Sequence, residues 1–154
     1  MISPELLRRF PFFGFLDDTA QKAVAMITED ISCPAGTEIF HEGESAKDLY
    51  LLIEGRVGLF FTPEHNSGAL HENILVGEIN PGEPVGLSAF IEPRLLNATA
   101  IAAQPSRMLK IEGAALRAVC EVDCRLGYGL MQQLSRAVAE RLHFARLQLA
   151  AARV

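Results

Sequence analysis

The middle of the chain alternates short apolar runs with turn residues, a pattern typical of β-strands in a sandwich or barrel. Between the runs stand the turn sequences "PAG", "EGES", "NPGEP" and "QPS", and "HNSG" predicts a hairpin tip. A parallel sheet is not expected, because no helical pattern separates one run from the next. The predicted strands cover residues 31–33, 38–40, 49–53, 57–61, 73–79, 98–103 and 108–111.

Helical patterns flank this region on both sides. Residues 4–27 are predicted to be helical, with Asp17 or Asp18 as the cap of a second short helix. After residue 111 the pattern predicts a short helix over 114–121 and a long one over 123–152, capped by Asp123. We therefore expect one domain over residues 1–154, with N-terminal helices at 1–28, strands at 29–112 and C-terminal helices at 113–154.

The long helix carries two apolar stripes. Leu126, Leu130 and Leu134 are expected to pack on the body, while a second stripe repeats with heptad spacing. That second stripe predicts a homodimer through the C-terminal helix. Arg141 and Arg146 are predicted to stay solvated beside it as a basic ridge, so a protein partner is a further expectation. The predicted dimer seam consists of Met131, Ser135, Val138, Leu142, Ala145 and Leu149.

Composition limits the function classes. The net charge of −5 and the pI of about 5.4 argue against a general nucleic-acid binder. No apolar run approaches the roughly 20 residues that span a bilayer, and the N-terminus lacks a secretory pattern, so a cytoplasmic protein without membrane contact is expected. The 3 cysteines form no framework. No nucleophile elbow, Walker loop or H-x-H metal pattern occurs, so neither catalysis nor a metal site is predicted.

The stretch "CPAGTEIFHEGESAKDLYLLIEGRVGLF" carries glycines at ordered intervals. Gly36, the triplet at 42–44, Gly55 and Val57 resemble the opening of the cyclic nucleotide-binding domain family, which includes the CRP/FNR sensor domains. The resemblance implies a mainly β fold, in which a double-stranded β-helix (a jelly-roll β-roll) is flanked by N-terminal helices and a long C-terminal helix. It also implies a regulatory function.

Residues 81–100, "PGEPVGLSAFIEPRLLNATA", resemble the family's phosphate-binding cassette, and we refer to them as the cassette. The family pattern implies a glutamate for the ribose hydroxyl directly after Gly86 and an arginine for the cyclic phosphate ten residues after it. Leu87 and Leu96 occupy those positions. The cassette is thus predicted to be degenerate; no cofactor is assigned, and cAMP or cGMP is the candidate ligand. The candidate ligand residues are Gly82, Glu83, Val85, Gly86, Leu87, Ser88, Arg94, Leu96, Asn97 and Ala98.

Three functions follow from the resemblance. The first is a regulatory module that acts by dimerisation or protein interaction. The second is a genuine cAMP or cGMP sensor, in which Arg94 and backbone donors bind the phosphate. This alternative assumes that a strand already begins at Arg94, because alternation would then place its side chain on the same face as Leu96. The third is the sensor half of a CRP/FNR-type transcription regulator, whose helix-turn-helix is absent from this chain.

Overall fold

The computed structural model describes residues 1–63 and 73–154. Its helices are α1 (Pro4–Arg8), α2 (Asp18–Met26), α3 (Gly113–Val122) and α4 (Cys124–Ala152), with 3₁₀ turns at Pro11–Phe13 and Leu87–Phe90. Its strands are β1 (Thr28–Cys33), β2 (Glu38–Phe40), β3 (Asp48–Glu54), β4 (Val57–Phe61), β5 (Ile74–Ile79), β6 (Pro84–Val85), β7 (Thr99–Ala102) and β8 (Ser106–Glu112). The hairpin tip predicted at "HNSG" lies outside the described residues.

The strands of the described residues form two four-stranded antiparallel sheets, in the orders β1-β8-β3-β6 and β2-β7-β4-β5. Together with the flanking helices and the long α4, this arrangement confirms the predicted jelly-roll fold. The sequence pattern missed β6, whose two residues pair with Tyr50 and Leu51 of β3. Proline is confined to sheet edges because it has no N–H to donate, so a two-residue edge strand with Pro84 gives no strand signal.

Strand β3 divides the core into two parts, because alternate side chains point to opposite faces of a strand. Leu49 and Leu51 belong to the cluster that packs against the helices, which we call the helix-side core. Tyr50 and Leu52 belong to the cluster inside the roll. Burial of both faces explains why β3 appears in the sequence as a nearly continuous apolar run.

The terminal helices are held by caps and by close packing. Asp17 Oδ1 accepts from the Ala20 N–H at 2.7 Å and Asp123 Oδ1 from the Leu126 N–H at 3.2 Å, so both predicted capping positions are confirmed. The stripe of α4 formed by Leu126, Leu130 and Leu134 is buried, as predicted. No helix in the described ranges is both long and apolar enough to cross a membrane.

Candidate ligand site

The cassette begins with a tight turn that uses the Glu83 carboxylate structurally. Gly82 donates its N–H to the Leu52 carbonyl at 2.8 Å, and Glu83 Oε1 accepts from the Asn80 N–H at 3.0 Å. Glu83 is half-buried, and its backbone carbonyl accepts from the Leu52 N–H at 3.1 Å. One oxygen of this carboxylate is therefore engaged in holding the turn that leads into β6.

Gly86 is required by both its conformation and its surroundings. Its φ is +84°, a region that glycine adopts without steric cost, and a Cβ at this position would lie 2.7 Å from the Asp48 carbonyl oxygen. The 3₁₀ turn Leu87–Phe90 follows directly. Arg117 of α3 donates from Nη1 to the carbonyl of Ala89 in this turn at 2.6 Å. The cassette is thus fixed between the start of β3 and the C-terminal helices.

Leu87, at the position implied for the ribose-binding glutamate, is part of the helix-side core. Its side chain is 8% exposed and belongs to the same cluster as Leu116, Leu126 and Leu130. A leucine here adds apolar packing between the cassette and the C-terminal helices.

Leu96, at the position implied for the phosphate-binding arginine, is buried in a different cluster. It is 7% exposed and packs with Ala46 and Ala89. Both of its backbone groups are used by the loop before β3: its N–H donates to the Glu44 carbonyl at 2.9 Å, and its carbonyl accepts from the Gly43 N–H at 2.7 Å. The position is therefore rigidly held, but its side chain carries no charge.

The assumption that a strand begins at Arg94 is wrong. Strand β7 begins at Thr99, and Arg94 has a φ of +56°, which is the left-handed region. Its N–H donates to the Ile91 carbonyl at 2.8 Å, closing a turn, and its Nη2 lies 3.7 Å from Glu92 Oε1. Strand alternation therefore does not determine where the Arg94 side chain points. Its Nε atom is buried without a hydrogen-bond partner among the described residues.

The remaining candidate residues of the cassette are dispersed. Val85 is buried in β6 and belongs to the cluster inside the roll, whereas Ser88 is half-buried in the 3₁₀ turn. Asn97 is exposed and Ala98 half-buried, just before β7. The side chains of the predicted ligand residues are therefore divided between separate apolar clusters and the surface, and their role in binding stays a prediction.

A cavity of about 350 Å³ does lie beside the cassette, and Leu96 forms part of its wall. Asp48 and Tyr50 of this cavity could not be predicted as site residues, because they lie at the start of the apolar run of β3 and form no motif. Burial raises the pKa of the Asp48 carboxyl, although Lys110 at 3.9 Å partly opposes the effect. Burial also raises the pKa of Tyr50 to about 12. The lining residues are Ile39, Phe40, Glu44, Ser45, Lys47, Asp48, Tyr50 and Leu96.

Arg141 corrects the prediction of a solvated basic ridge. Its Nη2 donates to the Pro84 carbonyl, and its Nε is buried with no partner in the described part of the chain. Burial lowers the pKa of its guanidinium, while Glu83 and Glu140 oppose that shift. The side chain therefore ties α4 to the residues just before Gly86. Arg146 is exposed, as predicted.

The predicted dimer seam faces outward from the body. Met131, Val138, Leu142 and Leu149 are 41%, 45%, 49% and 55% exposed. Ser135 and Ala145 are exposed as well. The dimer itself stays a prediction, since a single chain leaves this stripe uncovered.

The sequence model of the family described as "Cyclic nucleotide-binding domain" matches residues 30–123. The chain belongs to this family. Cyclic nucleotide-gated ion channel 17 of Arabidopsis thaliana is 27% identical over 114 residues, which are 74% of this chain and 16% of the channel. The Pycsar effector protein XpPycTIR of Xanthomonas perforans is 26% identical over 138 residues, or 89% of this chain and 42% of the effector. The chain thus spans less than half the length of either relative.

A solved structure agrees over the whole domain. A Geobacter metallireducens protein named for cyclic nucleotide binding superimposes with a TM-score of 0.80 at 38% identity, over 93% of this chain and 100% of its own length. The predicted membership in the family is confirmed, and the chain has the fold of a cyclic nucleotide-binding regulatory domain.

Proposed function

We propose that this domain is a regulatory module that does not bind cyclic nucleotides tightly and that acts through dimerisation or protein interaction. One observation carries the proposal: both positions where the family resemblance implies a charged ligand residue hold leucines that are more than nine-tenths buried in apolar clusters. Each leucine stabilises the domain by packing, and neither side chain can hydrogen-bond to a nucleotide.

The expected loss of affinity is large. A hydrogen bond to a charged group contributes about 1.5–3 kcal/mol, and an arginine makes two of them to a phosphate. Without the arginine and the glutamate, several kcal/mol of binding free energy are missing. Because about 1.4 kcal/mol corresponds to a factor of ten, affinity for cAMP should fall by roughly a thousandfold or more.

A cyclic-nucleotide sensor that uses Arg94 is the second candidate function. The observation in its favour is the buried Nε of Arg94, which has no partner within residues 1–63 and 73–154, while 40% of the side chain is exposed. In this candidate function, the Arg94 guanidinium would supply the charge that is absent from position 96.

Thermal unfolding with cAMP or cGMP separates these candidates. At about 1 mM nucleotide, a binder with a micromolar dissociation constant would gain about 4 kcal/mol of stability, because stabilisation follows RT ln(1 + [L]/Kd). We expect almost no change in Tm. A rise of many degrees that disappears in Arg94→Ala, but persists in the control Arg153→Ala at the exposed end of α4, would instead establish the sensor.

In this proposal the regulatory domain acts as a dimer that forms through α4. Leu142→Glu places like charges opposite each other in a two-fold seam, so sedimentation should report half the wild-type mass with the β-roll still folded. Leu147→Glu makes the same change at an exposed position on the opposite side of α4 from the seam and should leave the mass unchanged. A wild-type protein that is already monomeric at tens of micromolar would contradict the dimer.

A further inference from the structure

The cavity beside the cassette combines an apolar wall with a carboxylate. The rings of Phe40 and Tyr50 lie with centroids 6.2 Å apart and planes inclined by 34°, and Leu96 and Ile39 extend the wall. A volume of about 350 Å³ is within the range of small-molecule sites. This wall can accommodate the hydrocarbon or aromatic body of a small ligand.

The charge of this cavity comes mainly from acids. The Asp48 side chain is only 18% exposed, and its nearest cation, Lys110 Nζ, is 3.9 Å away, beyond hydrogen-bond length. The Tyr50 phenol beside it stays neutral, because burial and, secondly, the Asp48 carboxylate raise its pKa to about 12. Among the residues that line the cavity, the carboxylates of Glu44 and Asp48 face one lysine, Lys47. The charges that act on Asp48 are those of Glu29 and Glu112 and, with opposite sign, Lys47 and Lys110.

An anion and a cation would have different electrostatic interactions with the residues that line this cavity. A phosphate would meet the carboxylates of Glu44 and Asp48, with only the exposed Lys47 to attract it among the lining residues. An ammonium group would supply the hydrogen bonds that Lys110 is too distant to make to Asp48, and the aromatic faces would add a cation–π attraction. With leucine at position 96, the field in the cavity favours positive charge.

We infer that this cavity binds a small organic cation, with an ammonium group at Asp48 and an apolar or aromatic body against Phe40, Tyr50 and Leu96. The inference rests on the proposed function, since a cyclic nucleotide that bound at the cassette would bring its phosphate to the same neighbourhood. It assigns to the degenerate site a ligand of the opposite charge.

Three probes of the same shape test the role of charge. They are 2-phenylethylamine, which is cationic at neutral pH, the neutral 2-phenylethanol, and the anionic phenylacetate. We expect the amine to bind about tenfold more tightly than the alcohol, and the carboxylate to bind most weakly. Protein NMR titrations give the three dissociation constants, and the shifting signals should be those of Phe40, Tyr50 and Leu96.

Variants assign the preference to Asp48. Asp48→Asn keeps the shape of the side chain and should abolish the preference for the amine over the alcohol. Glu121→Gln removes one negative charge from the exposed face of α3 and should leave that preference intact. Leu96→Arg adds a cation to the cavity wall and should reverse the order, so that phenylacetate binds more tightly than the amine.

Dissociation constants within about twofold for all three probes, or tighter binding of phenylacetate to the wild type, overturn the inference. So does an unchanged amine preference in folded Asp48→Asn. A parallel cAMP titration distinguishes the two proposals. Tight cAMP binding contradicts the proposed function, whereas absent cAMP binding without an amine preference contradicts only the cation site.

Discussion

Replacing Leu87 by glutamate tests whether position 87, where the family resemblance implies a ligand residue, belongs to the core. In the structure this side chain is 8% exposed and packs in the cluster that contains Leu116 and Leu130. An introduced carboxyl would therefore be desolvated, and its pKa in the folded protein should lie well above the unfolded value of about 4.3. If the side chain pointed into a solvated ligand site, the same substitution would cost little.

The loss of unfolding free energy expected for Leu87→Glu has two parts. Loss of the buried leucine costs about 1.5–3 kcal/mol at any pH. Each unit by which the folded pKa exceeds the unfolded one removes a further 1.4 kcal/mol or so once the pH is above both values. Because the folded pKa is raised, this second part is absent below about pH 4 and grows as the pH rises towards the folded pKa. A shift of about three units gives a total loss near 6 kcal/mol at neutral pH.

Denaturant unfolding of the wild type, Leu87→Glu and Leu87→Gln at about pH 4 and about pH 7 measures both parts. Leu87→Gln has a similar shape but does not titrate, so its deficit against the wild type should be nearly the same at both pH values. The deficit of Leu87→Glu should grow with pH. A Leu87→Glu protein within about 1 kcal/mol of the wild type at both pH values would refute the placement of Leu87 in the core.

Three further substitutions have expected outcomes. Gly86→Ala should cost about 1–3 kcal/mol more than Gly82→Ala in denaturant unfolding. Both glycines have positive φ, but only a Cβ at position 86 would lie 2.7 Å from a carbonyl oxygen, that of Asp48. Equal costs would contradict this steric argument. The Tm of Asp48→Asn should rise relative to that of the wild type as the pH increases from acid to neutral. Burial raises the folded pKa of Asp48, so ionisation of this carboxyl destabilises the wild type but not the variant. A fall in the Tm of the variant relative to the wild type would contradict the direction of the pKa shift. Arg141→Met should lower the free energy of unfolding by about 1–3 kcal/mol through loss of its bond to the Pro84 carbonyl; an unchanged value would mean that the bond contributes nothing.

Much of the fold could be predicted from local signals. Turn residues between apolar runs mark the ends of most strands, and Asp17 and Asp123 mark the starts of α2 and α4, because both features act within a few residues of the chain. Strand β6 gave no such signal, since it is two residues long and includes Pro84.

The site was less predictable, because its properties depend on residues distant in sequence. The left-handed conformation of Arg94 follows from the turn that it closes and from its pairing with the loop before β3. Arg141 is partly buried because a long side chain on α4 reaches a carbonyl 57 positions earlier in the chain. Asp48 lies in a cavity only because the cassette folds beside the start of β3.

Direct titration of the wild-type domain with cAMP and with cGMP by isothermal calorimetry tests the central claim, that the cassette no longer holds a cyclic nucleotide. The buried leucines at positions 87 and 96 predict no measurable heat of binding for either nucleotide up to about 1 mM, as expected for dissociation constants above about 1 mM. A saturable one-site isotherm with a dissociation constant of about 10 μM or lower for either nucleotide would contradict that claim.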